Sequence, residues 1–317
     1  CTGTRCGSMG EGGARPPLLV VVGPTAVGKT GIAIRLAEAL DGRIISADSR
    51  QVYAGMDIGT AKPTPAEQAR APHALVDIRQ PDERLTLAEY QDMAYEAIEA
   101  AHAAGRLPIL VGGTGQYVRA VVEGWGIPRV APQPGLRADL TGMAYVYGAT
   151  ALHAWLAEID SAAAEAIDYR NVRRVVRALE VCLVAGEPIS VLQERHPPPY
   201  RIMQIGLTQP RESLYRRIDT RVDAMMAAGL ADEVRGLLEA GYGWDLSSMS
   251  SLGYRQFAPY FEGKITLEEA ADAIKRETRR FVRQQATWFR LDDPAIRWFD
   301  LDEVGFGEIL GVVRGRL

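Results

Sequence analysis

The sequence predicts an α/β fold in which a parallel sheet, flanked by helices, is interrupted by a helical insertion. The apolar run 18-LLVVV-22 leads into 23-GPTAVGKT-30 and then a helical pattern, the strand, loop, helix order of a phosphate-binding turn. Strand and helix patterns keep alternating after it, as parallel strands require, since each pair must be joined by a crossover. From Gly126 the chain turns Pro- and Gly-rich and then largely helical, and strand character returns at Arg201. These features describe a P-loop NTPase-like core built from residues 16–125 and 201–317, with 126–200 as a mainly helical insertion.

The elements follow in order. The first strand, 18–22, is a β-branched run of the kind buried on both faces. A helix over 30–40 carries Ile32, Ile34 and Leu36, and 43–47 returns to strand, which completes a βαβ unit. The stretch 87–104, LAEYQDMAYEAIEAAHAA, reads as a helix stopped by Gly105. A third buried strand, 107–111, runs into 112-GGTGQY-117, a turn that demands glycine. The strand at 201–207 rejoins the sheet, and helices from Arg211 onward pack around it. No internal repeat and no long run of charge is present.

Composition excludes several classes of protein. With 47% hydrophobic and 24% charged residues in 317, the chain has the balance of a globular domain with a large core. A formal net charge of -4 argues against indiscriminate coating of nucleic acid, and leaves room for a local basic surface. Cys1, Cys6 and Cys182 are odd in number and have no ligand spacing with His73, His102, His153 or His196. Neither a disulfide framework nor a zinc site is expected, and a reducing cytoplasm fits. The longest apolar runs, near 18–22 and 108–111, fall far short of the roughly 20 residues that span a bilayer. Residues 1–15 are Gly-rich without the apolar centre of a signal peptide, so they read as a disordered leader or expression remnant, with Met9 a possible natural start.

The loop chemistry is specific about ligand and silent about reaction. Gly23 and Gly28 let backbone N–H groups turn inward around Thr25, Ala26 and Val27, Lys29 reaches the outer phosphates, and the Thr30 hydroxyl suits Mg2+. The helix that starts near Lys29 adds its positive end. Asp48, in 44-IISADSRQVYAGMDIGTAKP-63, ends the second strand, where catalytic groups gather in open α/β sheets. On residue grounds it is either such a group or a turn cap or water-mediated Mg2+ holder, as in nucleotide hydrolases. The third strand ends in glycines where many P-loop NTPases carry a metal-binding carboxylate, so the hydrolase pattern is incomplete. A kinase or nucleic-acid-dependent NTPase would use the same loop, but the sequence shows neither the lid-arginine series nor the acceptor site of a kinase. A non-enzymatic RNA-binding module would leave the loop unexplained.

The ordered set GPTAVGKT, SADSRQVYAGMDIGTAKP, 77-DIRQPDE-83, 111-VGGTGQYVRA-120, 177-RALEV-181, 205-IGL-207, 251-SLGYRQ-256 and 283-RQQATWFR-290 resembles the tRNA dimethylallyltransferases, which prenylate an adenosine beside the anticodon. The match runs in order over about residues 18 to 300, and DSRQVY with GMDIGTAKP is its most distinctive part. The resemblance implies that the loop, from Gly23 through Thr30, holds the diphosphate of dimethylallyl diphosphate with Mg2+, rather than ATP. It implies transfer of the dimethylallyl group to N6 of the adenosine 3′ of the anticodon, with Asp48 as general base and Thr30 as the metal ligand. Arg221, in 217-RIDTRVD-223, becomes a diphosphate ligand, the alternative being an ion pair with Asp219 or Asp223. Asp48, Ser49, Arg50, Gln51, Thr114 and Arg137 are assigned to tRNA, with the Gln51 amide either offered to the edge of an adenine drawn out of its stack or spent on hydrogen bonds within its own loop.

Binding tRNA needs positive surface despite the acidic total. In 170-RNVRRVVRALEV-181, Val172, Val175, Val176 and Leu179 fall on one helix face, which aims Arg170, Arg173, Arg174 and Arg177 outward. In 275-KRETRRFVRQQATWFR-290, Arg276, Arg279, Arg280 and Arg283 follow i, i+3, i+4, i+7 spacing, with Phe281 and Trp288 on another face. Both faces suit phosphate contacts driven by counterion release, and the plainer alternative is ordinary solvated helix surface. Two departures from the family pattern affect RNA contacts rather than the reaction. The segment 72-PHALVDI-78 keeps only His73 of a usual histidine pair, and 167-IDYRNVRR-174 replaces a usual Asn-Asp-Pro turn. The expected form is a bacterial-type, zinc-free monomer.

Overall fold

The computed structural model describes residues 15–317, so the leader read at 1–15 lies outside the described residues except for Arg15. The chain divides into two compact units. The first takes in the residues up to Leu85, Met93–Val118 and Pro199–Leu317, and the second Thr86–Asp92 and Arg119–Pro198. The insertion therefore opens at Arg119 rather than at 126, and it claims the first turn of a helix otherwise assigned to the core.

In chain order the elements are β1 (Pro17–Val22), α1 (Lys29–Leu40), β2 (Gly42–Ser46), α2 (Pro65–Arg70), β3 (His73–Ala74), α3 (Leu87–Ala103), β4 (Leu107–Gly112) and α4 (Gly115–Glu123). The insertion contributes α5 (Pro134–Tyr147), α6 (Ala149–Ile159), α7 (Ser161–Ala166), α8 (Val172–Ala185) and α9 (Ile189–Leu192). After it come β5 (Arg201–Thr208), α10 (Arg211–Ala227), α11 (Leu230–Glu239), α12 (Ala258–Phe261), α13 (Leu267–Gln285), β6 (Ile296–Asp300) and α14 (Phe306–Arg314).

The sheet order is β3-β2-β4-β1-β5-β6, and every pairing is parallel. β1 lies inside it, which is why Leu18 through Val22 are fully buried and why the run shows no alternation. Register fixes where the functional loops emerge. Val22 pairs with Gly112 on one side and with Gly206 on the other, and Ser46 pairs with Val111. The residues that follow β1, β2 and β4 thus leave the sheet at one edge. The two edge strands, β3 and β6, were not legible as strands. β3 is only two residues long, too short for any periodicity, and β6, IRWFD, has neither a run buried on both faces nor a regular alternation of buried and exposed positions.

Glycine after β4 is required by close approach rather than by left-handed backbone. A Cβ on Gly112 would stand 2.1 Å from the Ala47 carbonyl oxygen, and one on Gly115 would stand 2.2 Å from the Trp288 ring. Trp288 therefore packs inward, whereas Phe281, expected on the same apolar side, is 39% exposed.

The second unit has its own core, in which Leu140, Leu152, Leu156, Val175, Val176 and Leu179 are buried together. Asn171 accepts the Arg174 N–H at 3.3 Å and caps α8, so the altered turn before this helix still supplies a start signal. The buried carboxylate of Glu180 accepts from the Gln133 N–H at 2.7 Å, from Arg137 at 2.8 Å through both nitrogens, and from Arg177 at 2.6 Å. Burial alone would raise its pKa, but the bonds from Arg137, Gln133 and Arg177 outweigh it and hold the carboxyl at about 2. Arg177, read as pointing outward, and Arg137, assigned to tRNA, each spend their guanidinium on this buried acid, while their side chains stay 36% and 40% exposed. Among the described residues, no helix is long and apolar enough to cross a membrane.

Candidate active site

The phosphate loop follows β1 and is shaped by three residues at positive φ: Gly23 at 147°, Ala26 at 68° and Gly28 at 104°. Gly23 admits no side chain, since a Cβ there would lie 2.4 Å from the Leu207 carbonyl oxygen. Ala26 is the strained member, because a left-handed conformation costs an L-residue about 1–2 kcal/mol. Its carbonyl accepts from Arg217 Nε at 2.9 Å, which offsets part of that cost. α1 begins at Lys29 with no side-chain cap on its first turn, so its free N–H groups and positive dipole end are left for an anion. Lys29 Nζ donates to the carbonyls of Gly23 and Pro24 at 2.9 and 2.8 Å, which folds the lysine back over the loop.

Lys29 titrates at about 8 rather than 10.5. Burial lowers it most, the Asp48 charge partly restores it, and Arg221 lowers it again. Arg221 is likewise pushed below its usual value by burial, with Asp48 opposing. The phosphate loop, the end of β2 and α10 therefore converge here. Asp219 and Asp223, the alternative partners considered for Arg221, pair instead with Arg279 and with Lys275, the latter at 2.5 Å. Lys29, Thr30, Asp48, Gln51, Ser46 and His73 line a common cavity of about 40 Å3. A larger cleft, of about 340 Å3, lies at the N-terminal ends of β5 and β6 and includes none of these residues.

Asp48 is presented by a tight turn in which its Oδ1 accepts the Arg50 N–H at 2.9 Å. Among the described residues its other oxygen has no hydrogen-bond partner. Thr114 holds this turn from β4's side, accepting the Ser49 N–H at 3.0 Å and donating to Ser49 Oγ at 3.3 Å. Arg50 donates to the Ser247 carbonyl at 2.9 Å. Of the two readings of Gln51, the structure has the hydrogen-bonded loop glutamine. Its Oε1 accepts from Ser46 Oγ at 3.2 Å, and its Nε2 donates to the Ala61 and Thr60 carbonyls at 3.2 and 3.4 Å. Gln51 thus ties the Asp48 turn to the GMDIGTAKP segment instead of presenting donor and acceptor outward.

Several residues of the site were given no role from the sequence, although most lie within the quoted motifs. Gln285, buried at the end of α13, accepts the Thr25 N–H at 2.8 Å and donates to the Gly113 carbonyl at 3.0 Å, so one amide spans the phosphate loop and the end of β4. Glu233 accepts the N–H groups of Asp57, Ile58 and Gly59 at 2.9, 2.7 and 3.1 Å, and the Tyr254 hydroxyl at 2.7 Å. Lys62, also buried, reaches the Tyr53 carbonyl at 2.8 Å and the carboxylates of Asp57 and Asp77. Arg217 precedes Arg221 by one helical turn, and their i, i+4 spacing is a sequence signal that could have linked them.

The arginines of α13 are divided. Arg276 and Arg280 are exposed, Arg283 bonds the Tyr215 hydroxyl at 3.1 Å, and Arg279 turns inward to Asp219. The single basic face read for this helix is therefore corrected at Arg279. On α8, Arg173 and Arg174 are exposed as expected.

For Mg2+, the available donors are oxygens only. The Thr30 hydroxyl has no partner among the described residues, and it lines the same cavity as Asp48. That fits an ion which takes few protein ligands and keeps water and phosphate oxygens around it. No group of three His, Cys, Asp or Glu side chains that could hold a metal occurs among the described residues.

A family profile described as IPP transferase matches residues 51–292. The chain is 60% identical to the tRNA dimethylallyltransferase of Roseiflexus sp. (strain RS-1) over 274 residues, covering 86% of this chain and 90% of the relative. It is 50% identical to that of Dehalococcoides mccartyi over 301 residues, or 95% and 93% of the two chains. The crystal structure of tRNA isopentenylpyrophosphate transferase from Bacillus halodurans superposes with a TM-score of 0.71 at 42% identity, covering 95% of this chain and 97% of that one. A eukaryotic dimethylallyltransferase solved acting on tRNA shares the fold with a TM-score of 0.80 at 23% identity, over 95% of this chain and 80% of its own. A phosphate loop facing Asp48 and Arg221, together with this similarity over nearly the whole chain, shows that the protein belongs to the IPP transferase family of tRNA dimethylallyltransferases.

Proposed function

We propose that this chain transfers a dimethylallyl group from dimethylallyl diphosphate to N6 of the adenosine 3′ of the anticodon in tRNA and releases diphosphate. The observation that carries the reading is the meeting of Lys29, Arg221 and Asp48 at the open edge of the sheet, two cations beside one carboxylate. An allylic diphosphate ionises readily when the charge on its leaving group is neutralised, and Lys29, Arg221 and the amides of the loop supply that neutralisation. The C1–O bond to diphosphate breaks and the N6–C1 bond forms. The proton leaves N6 for the unpaired oxygen of Asp48, while the Arg50 N–H fixes the other oxygen. Thr30 would hold Mg2+, which adds positive charge against the departing diphosphate when bound. Arg173 and Arg174 on α8, and Arg276 and Arg280 on α13, supply phosphate-backbone contacts for tRNA.

The test follows the label. Incubated with Mg2+, unmodified tRNA and dimethylallyl diphosphate labelled in the prenyl group, the protein should move label onto tRNA. γ-labelled ATP should leave tRNA unlabelled and remain intact. Transfer or hydrolysis of the γ-phosphate, with no prenyl label on tRNA, would refute the reading.

A further inference from the structure

The second unit concentrates its exposed aromatic side chains at one pole. Tyr145 is 92% exposed, Val146 69% and Tyr147 71%, all at the C-terminal end of α5. Gly148, at φ 87°, joins that end directly to the start of α6. His153, one turn into α6, approaches the Ala164 and Ile167 carbonyls at 2.9 and 2.8 Å, and its ring meets that of Tyr169 edge-on at 6.5 Å. Tyr169, itself 46% exposed, lies two residues before the Asn171 cap of α8, whose first residues include Arg173 and Arg174.

Contacts at the far end of the helices fix this arrangement. Asp160, after α6, accepts from the Ser190 N–H and hydroxyl at 2.8 Å, beyond the C-terminal end of α8. α6 and α8 therefore run in the same direction, and α5 runs against both, as its Arg137 contact with Glu180 requires. The end of α5, the start of α6 and the start of α8 consequently share a pole. It presents three tyrosines with Arg170, Arg173 and Arg174. Arg170 pairs with Asp168 at 2.5 Å, whereas Arg173 and Arg174 have no ion pair among the described residues.

We propose that this pole is a stacking platform for unpaired RNA nucleotides, with Tyr145 and Tyr147 receiving bases and Arg173 and Arg174 receiving the adjoining phosphates. The proposal rests on the tRNA reading above. Charge selects the occupant. An apolar protein surface would cover the tyrosines and leave two arginines and the positive end of α8 uncompensated. A single-stranded RNA segment supplies π faces and anions at nucleotide spacing, and every base has a face to stack. Tyrosine side chains so exposed, at a helix end away from the unit's core, cost the free protein apolar hydration without any packing return.

The experiment compares wild type with three paired variants: Tyr145→Ser with Tyr147→Ser, Tyr145→Phe with Tyr147→Phe, and Arg173→Gln with Arg174→Gln. The probes are a synthetic anticodon stem-loop and the same stem as a loop-free duplex, each titrated at several salt concentrations. Prenyl transfer to the stem-loop is measured alongside. The serine pair removes two stacked bases, each worth roughly fivefold to a hundredfold, so stem-loop affinity should fall by about thirtyfold or more. Its duplex affinity and salt slope should stay unchanged, and the phenylalanine pair should match wild type. The arginine pair should weaken both probes and flatten the salt slope. Unchanged stem-loop affinity in the serine pair overturns the proposal, as does an equal loss on both probes. So does a wild-type dimer by sedimentation that the serine pair converts to monomer, since the patch would then join copies of the chain. If the wild type binds neither probe, the tRNA reading falls with it. If it binds and modifies the stem-loop and the serine pair does so equally well, only the platform falls.

Discussion

Dimethylallyl diphosphate should bind less well as pH rises through about 8, and the cause should be Lys29 alone. In the free protein its ammonium titrates near 8 because burial and Arg221 outweigh Asp48. Near pH 7 roughly nine-tenths of the lysine is charged, and near pH 9 roughly one-tenth is. If only the ammonium form engages the diphosphate, apparent affinity falls about tenfold across that interval. The ligand's last phosphate proton, with a pKa of about 6, is about nine-tenths gone at pH 7, so its own titration opposes the trend only slightly. Binding should raise the lysine pKa, since a polyanion replaces two carbonyls as its partner, and roughly half a proton should be taken up per ligand bound near pH 8. The assay is calorimetric titration without tRNA, in buffers of different ionisation enthalpy. Lys29→Arg, permanently charged, should give a flat profile. Stability moves the other way: unfolded lysine holds its proton to about 10.5, so the free protein gains stability as pH rises from about 8 towards that value. A wild-type affinity flat from pH 7 to 9, with no proton uptake at 8, would refute the placement of a charge-depleted lysine in the diphosphate site.

Three further outcomes are expected. Asp48→Asn should keep both dissociation constants while slowing single-turnover prenyl transfer by about a hundredfold to ten-thousandfold; recovery of rate at high Mg2+ would make Asp48 a metal holder instead of the base. Gln285→Leu leaves the Thr25 N–H and Gly113 carbonyl unpaired, at about 1–3 kcal/mol each, and should raise KM for the prenyl donor with tRNA affinity unchanged; a parallel loss in both would count against a loop-specific role. Glu180, held at about 2 against a usual 4.5, contributes stability that is full above about 4.5 and is lost on acidification towards 2. The gap in thermal stability between wild type and Glu180→Gln should close over that range, and a gap independent of pH would sink the argument.

The parts of this site that follow one another in sequence were readable, and the parts joined by folding were not. The loop from Gly23 to Thr30 announces itself because a phosphate cradle is a local backbone shape, made by a few consecutive residues after a strand. Asp48 could be placed because parallel strands deliver their C-terminal ends to one edge. Gln285 could not, since an amide that bonds two distant backbone groups has no spacing rule; only coordinates bring it to Thr25. Glu180 misled in the same way. Helical periodicity put Arg177 on an open face, but a buried carboxylate three residues along the same helix pairs with it and with Arg137. Gln51 shows the converse limit, because a polar residue inside a distinctive motif invites a ligand role even when its amide is spent on the chain itself. Edge strands β3 and β6 escaped for want of length and of a run buried on both faces.

The amide bridge from Gln285 also sets a clock. Thr25 and Gln285 stand 260 positions apart, and a ribosome adding about 5–20 residues per second needs about 13 to 50 s to cover that distance. During that interval the nascent phosphate loop has its glycines, its lysine and its threonine, yet it lacks the acceptor for the Thr25 N–H. β5, which flanks β1, also emerges late, after the whole insertion has been made. A chain still tethered before residue 285 should therefore be unable to hold a diphosphate in the shape seen here, and donor binding becomes a property that the polypeptide acquires only near the end of its synthesis.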